Sequence, residues 1–181
     1  VYMGHIVIAD ELKPDAAATI AQLKAMGVQQ TVMLTGDRHD VGQQVARELH
    51  INQVAAELMP AEKVAHVEQL MCQKRAGGSL LFVGDGINDA PVLARADVGI
   101  AMGGLGSDAA IEAADVVLMD DKPSKVVRAI SLSRQIITIA HQNVAFAIGV
   151  KVAVLVLATF GWASMWMAVF ADVGVTVLAV L

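Results

Sequence analysis

The 181-residue sequence predicts an α/β fold with a parallel sheet, followed by two transmembrane α-helices. Up to about residue 123, short apolar runs alternate with helical patterns, which is typical of a parallel sheet covered by helices. The most polar turns directly follow apolar runs, so they are expected together at the carboxyl ends of the strands. From Val144 onward only two side chains carry charge, and this predicts the membrane part.

The alternation can be followed element by element. The runs that predict strands are GHIVIA, QTVMLTGD, QVAAEL, SLLFVGDG, DVGIAM and DVVLM. The segments between them predict helices, because their apolar residues recur every three or four positions. These are KPDAAATIAQLKAM, which stops at Gly27; RHDVGQQVARELHI, with Val41, Val45 and Leu49 on one face; PAEKVAHVEQLMCQKR, with Val64, Val67 and Met71; and the shorter NDAPVLARA and SDAAIEAA.

Composition excludes several classes of function. The net charge of −5 argues against a nucleic-acid partner, and the single cysteine, Cys72, excludes a disulfide framework and a cysteine zinc cluster within the chain. The first residues enter directly on a strand pattern and the last lie within an apolar run. We therefore expect a fragment, with a soluble domain at residues 1–124 and a membrane part at 125–181.

The membrane part contains two apolar runs separated by GWASMW. The first is about long enough to span a bilayer, which takes about 20 apolar residues, and the second is slightly shorter. Basic residues precede the first run whereas the loop between the runs has no charge, so the soluble domain is expected in the cytoplasm. A buried helical hairpin in a soluble protein is the alternative.

GDGIND carries the densest group of oxygen-bearing side chains, and it follows a predicted strand. Asp85 leaves the strand first and is the expected Mg²⁺ ligand, since Mg²⁺ prefers one or two carboxylates with water and phosphate. Asn88 can donate an amide hydrogen to phosphate, and Asp89 lies in a first helical turn, where the helix dipole favours a carboxylate. An ordinary turn in which Asp89 caps a helix is the alternative.

Two further polar positions sit beside strand ends. Thr35, Gly36 and Asp37 end the QTVML run, where a hydroxyl and backbone N–H groups can hold a phosphoryl oxygen. Lys63 opens a helix after Pro60, which is electrostatically unfavourable for a cation unless it has a partner or ligand. Together, a hydroxyl, a lysine and a magnesium carboxylate can stabilise a transferring phosphoryl group. Taken alone, the Thr35–Asp37 motif has an ordinary turn as its alternative, and Lys63 has a surface lysine.

MLTGDR, MPAEKV and VGDGINDAPVLARADVGIAMG resemble the phosphorylation domain of P-type ATPases, which has a haloacid-dehalogenase-like fold, and ADELKPDA resembles it too. The resemblance covers essentially the whole chain and implies that the full pump forms an aspartyl-phosphate from ATP with Mg²⁺. It implies that Thr35 and Lys63 contact the phosphoryl group, that Asp85 ligates Mg²⁺, and that Asn88 and Asp89 complete the site. The DKTGT motif that carries the phosphorylated aspartate does not occur here, so the segment alone should be inactive.

Lys151 and Asp172 are the two charges within the apolar runs. Counted from the outer ends at about 1.5 Å per residue, they lie about 13 Å and about 9 Å deep, close enough for a lysine side chain to bridge. Charges inside a membrane are expected to serve function, with snorkelling of the lysine or a purely structural ion pair as alternatives.

A lysine followed by Asp-x-Gly in the next span resembles the zinc/cadmium/lead branch of the heavy-metal P-type ATPases. This resemblance implies a multi-pass pump of a bacterial plasma membrane, in which Asp172 binds the transported Zn²⁺, Cd²⁺ or Pb²⁺ and Lys151 is its counter-charge. It also implies partners in the same pump: actuator and nucleotide domains and a Cys-Pro-Cys span. A carboxylate beside thiolates suits a borderline ion such as zinc better than Cu(I).

Two other functions remain open from the residues. A soluble haloacid-dehalogenase-like phosphatase would need a nucleophile on the first strand. Asp10 follows GHIVIA, but DELKP lacks the second aspartate that such phosphatases use. A non-catalytic membrane fragment that regulates a pump is the third possibility.

Overall fold

The computed structural model describes residues 12–84, 87–103, 108–162, 164–175 and 177. The chain divides into two compact units, Val1–Arg128 and Ala129–Leu181. The boundary that we expect from the sequence, after residue 124, stays a prediction.

The first unit alternates strands and helices as the sequence predicts. Its described elements are α1 (Ala16–Ala25), β1 (Val32–Leu34), α2 (His39–Glu48), β2 (Gln53–Ala55), α3 (Pro60–Gln73), β3 (Leu81–Gly84), a 3₁₀ turn (Ile87–Asp89), α4 (Ala90–Leu93), β4 (Val98–Met102), α5 (Asp108–Ala113) and β5 (Val116–Leu118). Gly27, just after α1, has a φ of 94°, a backbone conformation that only glycine adopts without strain and that ends the helix. The predicted first strand, GHIVIA, lies outside the described residues.

All strand pairs among the described residues are parallel. β1 pairs with β2, with Val32 opposite Gln53 and Leu34 opposite Ala55. β3, β4 and β5 form a second sheet in that order, with Val83 opposite Ile100 and Ile100 opposite Val116. The prediction of parallel strands is therefore confirmed, here in two sheets, and the polar turns after β1, β2 and β3 leave carboxyl ends of strands.

The core of this unit lies between β4 and the short helices. Leu93, Ala101 and Ala110 are almost completely buried and contact one another. Gly99 permits this packing, because a Cβ at that position would lie 2.5 Å from the carbonyl oxygen of Leu93. One helical face differs from prediction.

In α2 the buried residues are Gly42 and Ala46, whereas Val41 is 47% exposed. The physical reason is close approach to the strands. A Cβ on Gly42 would lie within 3.4 Å of Thr35, Ala56 and Val54, so the face of α2 that meets the strands has small residues. Of the predicted face Val41, Val45 and Leu49, Val41 is exposed and the other two are half-buried.

The long helix α6 (Ser124–Thr159) follows, and it is long and apolar enough to cross a membrane, with none of its apolar window buried inside the protein. The second apolar run begins as α7 (Met165–Val169) and continues as a π-helical turn (Phe170–Gly174). Only the first of the two predicted spans is found as a complete helix. The second stays a prediction, since residues 163, 176 and 178–181 lie outside the description.

Candidate active site

Thr35 occupies the carboxyl end of β1 and is 8% exposed. Its hydroxyl donates to the carboxylate of Asp37 (Oγ1–Oδ2 2.7 Å) and accepts from the Asp37 backbone N–H (3.1 Å). The two bonds close a tight turn around Gly36. The turn holds the hydroxyl at the strand end, where the sequence analysis places a phosphoryl contact.

The turn after β1 is tied to the loop after β2 by two backbone bonds. Glu57 N–H donates to Asp37 O (2.8 Å), and Leu58 N–H donates to Thr35 O (3.1 Å). Glu57 has a positive φ of 59°, which reverses the chain so that both contacts form. The loop that leads into α3 is thereby fixed against Thr35.

Lys63 lies in the first turn of α3. The helix start is stabilised by the Glu62 carboxylate, which accepts from Met59 N–H at 2.7 Å, and by Pro60 at its first position. The side chain of Lys63 reaches across to the turn after β3, where Nζ lies 2.9 Å from Oδ1 of Asp89. Both side chains are largely buried, 17% and 14% exposed, so the unfavourable cation at a helix start has a carboxylate partner.

Asp89 ends the 3₁₀ turn and precedes α4. It packs directly on the backbone of Gly84, the last residue of β3, because a Cβ on Gly84 would lie 2.9 Å from Asp89 Cβ and 3.0 Å from its Oδ2. Glycine at the strand end therefore makes room for the Asp89 carboxylate.

The structure brings the predicted site residues together in two pairs. Thr35 contacts Asp37, and Lys63 contacts Asp89. The backbone of Gly36 lies beside the carbonyl oxygen of Leu58, which would be 3.4 Å from a Cβ at Gly36. Asn88 is exposed. Asp85, the predicted Mg²⁺ ligand, lies outside the described residues.

The residues present fit a magnesium ion that is shared with phosphate. Among the described residues no group of three or more His, Cys, Asp and Glu side chains could hold a metal by itself. Mg²⁺ does not need such a cage, since it binds through one or two carboxylates together with water and phosphate oxygens. Oxygen donors at a strand end, with Lys63 beside them, match that chemistry.

The membrane candidates belong to the second unit. Lys151 lies on α6 with an exposed side chain, and Asp172 lies within the π-helical turn Phe170–Gly174. Nothing further is described of the Asp172 side chain, so its role as a metal ligand stays a prediction.

Three further carboxylates form contacts that the sequence analysis missed. Asp15 accepts from Ser124 N–H at 3.0 Å, and hydrogen bonds from Ser124 hold the pKa of Asp15 below its usual value. Asp97 accepts from Leu80 N–H at 2.7 Å and from Lys74, and both lower the pKa of Asp97.

The third is Asp120, whose pKa is lowered by the hydrogen bond and charge of Lys125. These three carboxylates bind backbone and side chains that are far away in sequence or lie across a turn. Only the Asp120–Lys125 pair has a sequence spacing short enough to have been found from the pattern.

The comparisons with known proteins agree with this geometry. A model of the haloacid dehalogenase-like hydrolase family matches residues 2–97. The chain is 58% identical over 179 residues to a "Cadmium, zinc and cobalt-transporting ATPase" of Bacillus subtilis (strain 168), and 58% identical over 180 residues to a "Zinc-transporting ATPase" of Synechocystis sp. (strain ATCC 27184 / PCC 6803 / Kazusa).

Each match covers 99% of this chain but only 26% and 25% of the relatives, so the chain spans about a quarter of the length of the curated relatives it matches. The fold also matches the crystal structure of a zinc-transporting PIB-type ATPase in the E2.Pi state, with a TM-score of 0.83 and 40% identity, over 94% of this chain and 27% of that one. The chain belongs to the haloacid dehalogenase-like hydrolase family, and nearly its whole length corresponds to part of the heavy-metal-transporting P-type ATPases.

Proposed function

We propose that this chain is part of an ATP-driven pump that exports zinc and cadmium from the cytoplasm. It contributes one half of an aspartyl-phosphate site and part of an intramembrane metal site. The observation that carries the proposal is the largely buried Lys63–Asp89 pair at the carboxyl ends of parallel strands, in a chain that also contains a 36-residue apolar helix. Lead, which the resemblance to the zinc/cadmium/lead branch includes, and cobalt, for which one relative is named, are the further ions to test.

In this proposal each residue of the site acts on the phosphoryl group. Asp37 holds Thr35 at the strand end, and when phosphate binds, the Thr35 O–H turns from Asp37 to a phosphoryl oxygen or neighbouring N–H groups donate to it. Lys63 neutralises charge on the transferring group. Asp85 and Asp89 hold Mg²⁺, with Asn88 donating to phosphate. Mg²⁺, when bound, supplies Lewis-acid stabilisation of the phosphoryl oxygens. The nucleophilic aspartate, the ATP site, the actuator domain and the Cys-Pro-Cys span belong to the remainder of the pump.

Asp172 is the proposed ligand of the transported divalent cation, with Lys151 as the charge that replaces the cation after release. A carboxylate within a membrane is costly unless it meets a cation, which supports this pairing. The second apolar run is proposed to complete a second span, with the soluble domain on the cytoplasmic side of a bacterial plasma membrane.

The proposal is tested with the full-length pump, by following phosphorylation from ATP. Zinc or cadmium should produce a hydroxylamine-sensitive phosphoenzyme in the wild type. Asp85→Asn should slow the formation of this phosphoenzyme at least about a hundredfold, the loss of rate typical of removing one electrostatic contact to a transition state. Arg95→Gln, which removes an exposed ion pair with Glu68, is the matched control and should leave the rate of formation unchanged. Hydrolysis of small phosphate esters that zinc and cadmium do not stimulate would favour the alternative function, a haloacid-dehalogenase-like phosphatase.

A further inference from the structure

The turn that carries Asp172 is not an ordinary α-helical turn. Val175 N–H donates to the carbonyl of Phe170, five residues earlier, and Phe170–Gly174 form a π-helix that continues directly from α7. Such turns are rare, occur mostly as single wide turns inside α-helices, and are frequent at functional sites. One extra residue in the turn changes the direction in which the residues after it leave the helix.

Gly174 is required for this turn by its own helix. A Cβ at Gly174 would lie 2.7 Å from Cδ2, 2.8 Å from Cε2 and 3.2 Å from Cγ of Phe170, which are its three nearest neighbours. The aromatic ring therefore lies closer to Gly174 than a Cβ at that position would permit. The requirement is local, because those three nearest atoms all belong to Phe170 and none to α6.

Other residues of this segment are buried. Ala171 and Val175 are 4% and 2% exposed, whereas Phe170 is 59% exposed. Phe170, Ala171 and Gly174 line an apolar cavity of about 590 Å³ together with Val150 and Val154 of α6. The wide turn therefore lies beside the α6 segment that contains Lys151, with the Phe170 ring next to Gly174.

We propose that Gly174 is a positioning residue for the transported metal: by leaving room for the Phe170 ring, it permits the π turn that sets the backbone position of Asp172. The inference rests on the proposed role of Asp172 as metal ligand. A methyl group at position 174 must displace the ring or change the turn, and a changed turn moves the backbone at Asp172. Removing the ring of Phe170 should restore the space.

The test measures two quantities in the detergent-solubilised full-length pump: the zinc concentration for half-maximal ATP hydrolysis, and zinc binding at equilibrium. We expect Gly174→Ala to raise the half-maximal zinc concentration and the zinc dissociation constant at least about fivefold, the lower end of the effect of an overpacked methyl group. The double variant Phe170→Ala/Gly174→Ala should return to within about twofold of Phe170→Ala alone, because the two positions act as one unit.

Gly149→Ala is the matched control, since Gly149 lies in the apolar part of α6 and a Cβ there meets no atom within 4 Å. An effect of Gly174→Ala no larger than that of Gly149→Ala would overturn the inference, and so would a double variant as weak as Gly174→Ala. If Gly174→Ala yields no folded pump, the double variant decides: zinc affinity equal to that of Phe170→Ala supports the inference and weaker affinity contradicts it. Asp172→Asn separates the two proposals, because unchanged zinc dependence in that variant rejects Asp172 as ligand whatever Gly174 does.

Discussion

Lys63 and Asp89 form a largely buried ion pair, with Nζ 2.9 Å from Oδ1, that links the start of α3 to the turn after β3. The two residues are 26 positions apart and belong to different strand-to-helix connections. Their contact joins the first turn of α3 to the 3₁₀ turn that follows β3. The pair is therefore both a structural bridge and the charged centre of the candidate site.

Breaking this pair on one side should destabilise the domain. Lys63→Met leaves the Asp89 carboxylate without its cation in a largely buried position, so the free energy of unfolding should fall by about 2 kcal/mol. Chemical unfolding of the solubilised chain measures this. In a double-mutant cycle with Asp89→Asn, a coupling energy of at least about 1 kcal/mol is expected. The exposed pair Arg95–Glu68, analysed by the same cycle, should give less than about 1 kcal/mol, and equal values for the two pairs would contradict the account.

The hydroxyl of Thr35 should matter more than its methyl group for phosphorylation. Thr35→Val removes the two hydrogen bonds with Asp37 at almost constant volume, which should cost about 1 to 2 kcal/mol of stability and strongly reduce phosphoenzyme formation in the full pump. Thr35→Ser retains the hydroxyl and should keep most of the phosphoenzyme yield. Equal yields from the two variants would show that the hydroxyl has no role.

Two glycines allow a separation of site effects from fold effects. Gly84→Ala places a methyl group against Asp89, and Gly99→Ala places one against the Leu93 carbonyl, so both should lower stability by about 1 to 3 kcal/mol. Only Gly84→Ala displaces a residue of the candidate site. At a temperature where both variants are folded by circular dichroism, Gly84→Ala should lose phosphoenzyme formation and Gly99→Ala should retain it.

Acid stability should depend on Asp15 and Asp97. Both have a pKa below the ordinary value of 3.8, owing to hydrogen bonds from Ser124 and from Leu80 and Lys74, respectively. A lowered pKa means that the stabilisation is present above the unfolded-state pKa and is lost as pH falls through the folded-state pKa. Melting temperatures of the wild type should therefore fall below about pH 4, and Asp97→Asn should flatten that fall while lowering the melting temperature at neutral pH. An unchanged acid limb in Asp97→Asn would contradict this assignment.

Much of the fold follows from local sequence pattern, and the contacts that do not are long-range. The parallel strands and their helices can be read from apolar runs, from Gly27 and from Pro60, because each depends on neighbours along the chain. The sequence does not predict the Lys63–Asp89 contact, since the packing of α3 against α4 brings these residues together. Apolar periodicity places Val41 on one face with Val45 and Leu49, but it does not report how closely a strand approaches, which here selects Gly42 and Ala46 as the buried residues.

The π turn shows the same limit within a single helix. The sequence FADVG identifies Asp172 as an unusual charge, but helical periodicity predicts an ordinary α-helical turn. In the structure the wider turn brings the Phe170 ring next to Gly174, 2.7 Å from where a Cβ would lie. In the sequence, the π turn coincides with a glycine four residues after an aromatic residue, with a carboxylate between them.

The most direct test of the account is ATP-dependent transport of radioactive zinc into inverted membrane vesicles that contain the full-length pump, with Lys63→Met and Asp172→Asn as variants. We expect zinc and cadmium, but not Cu(I), to be taken up by the wild type, and neither variant to transport above the ATP-free background. Zinc uptake at the wild-type rate by either variant would contradict the account. Uptake of Cu(I) instead of zinc by the wild type would contradict it too.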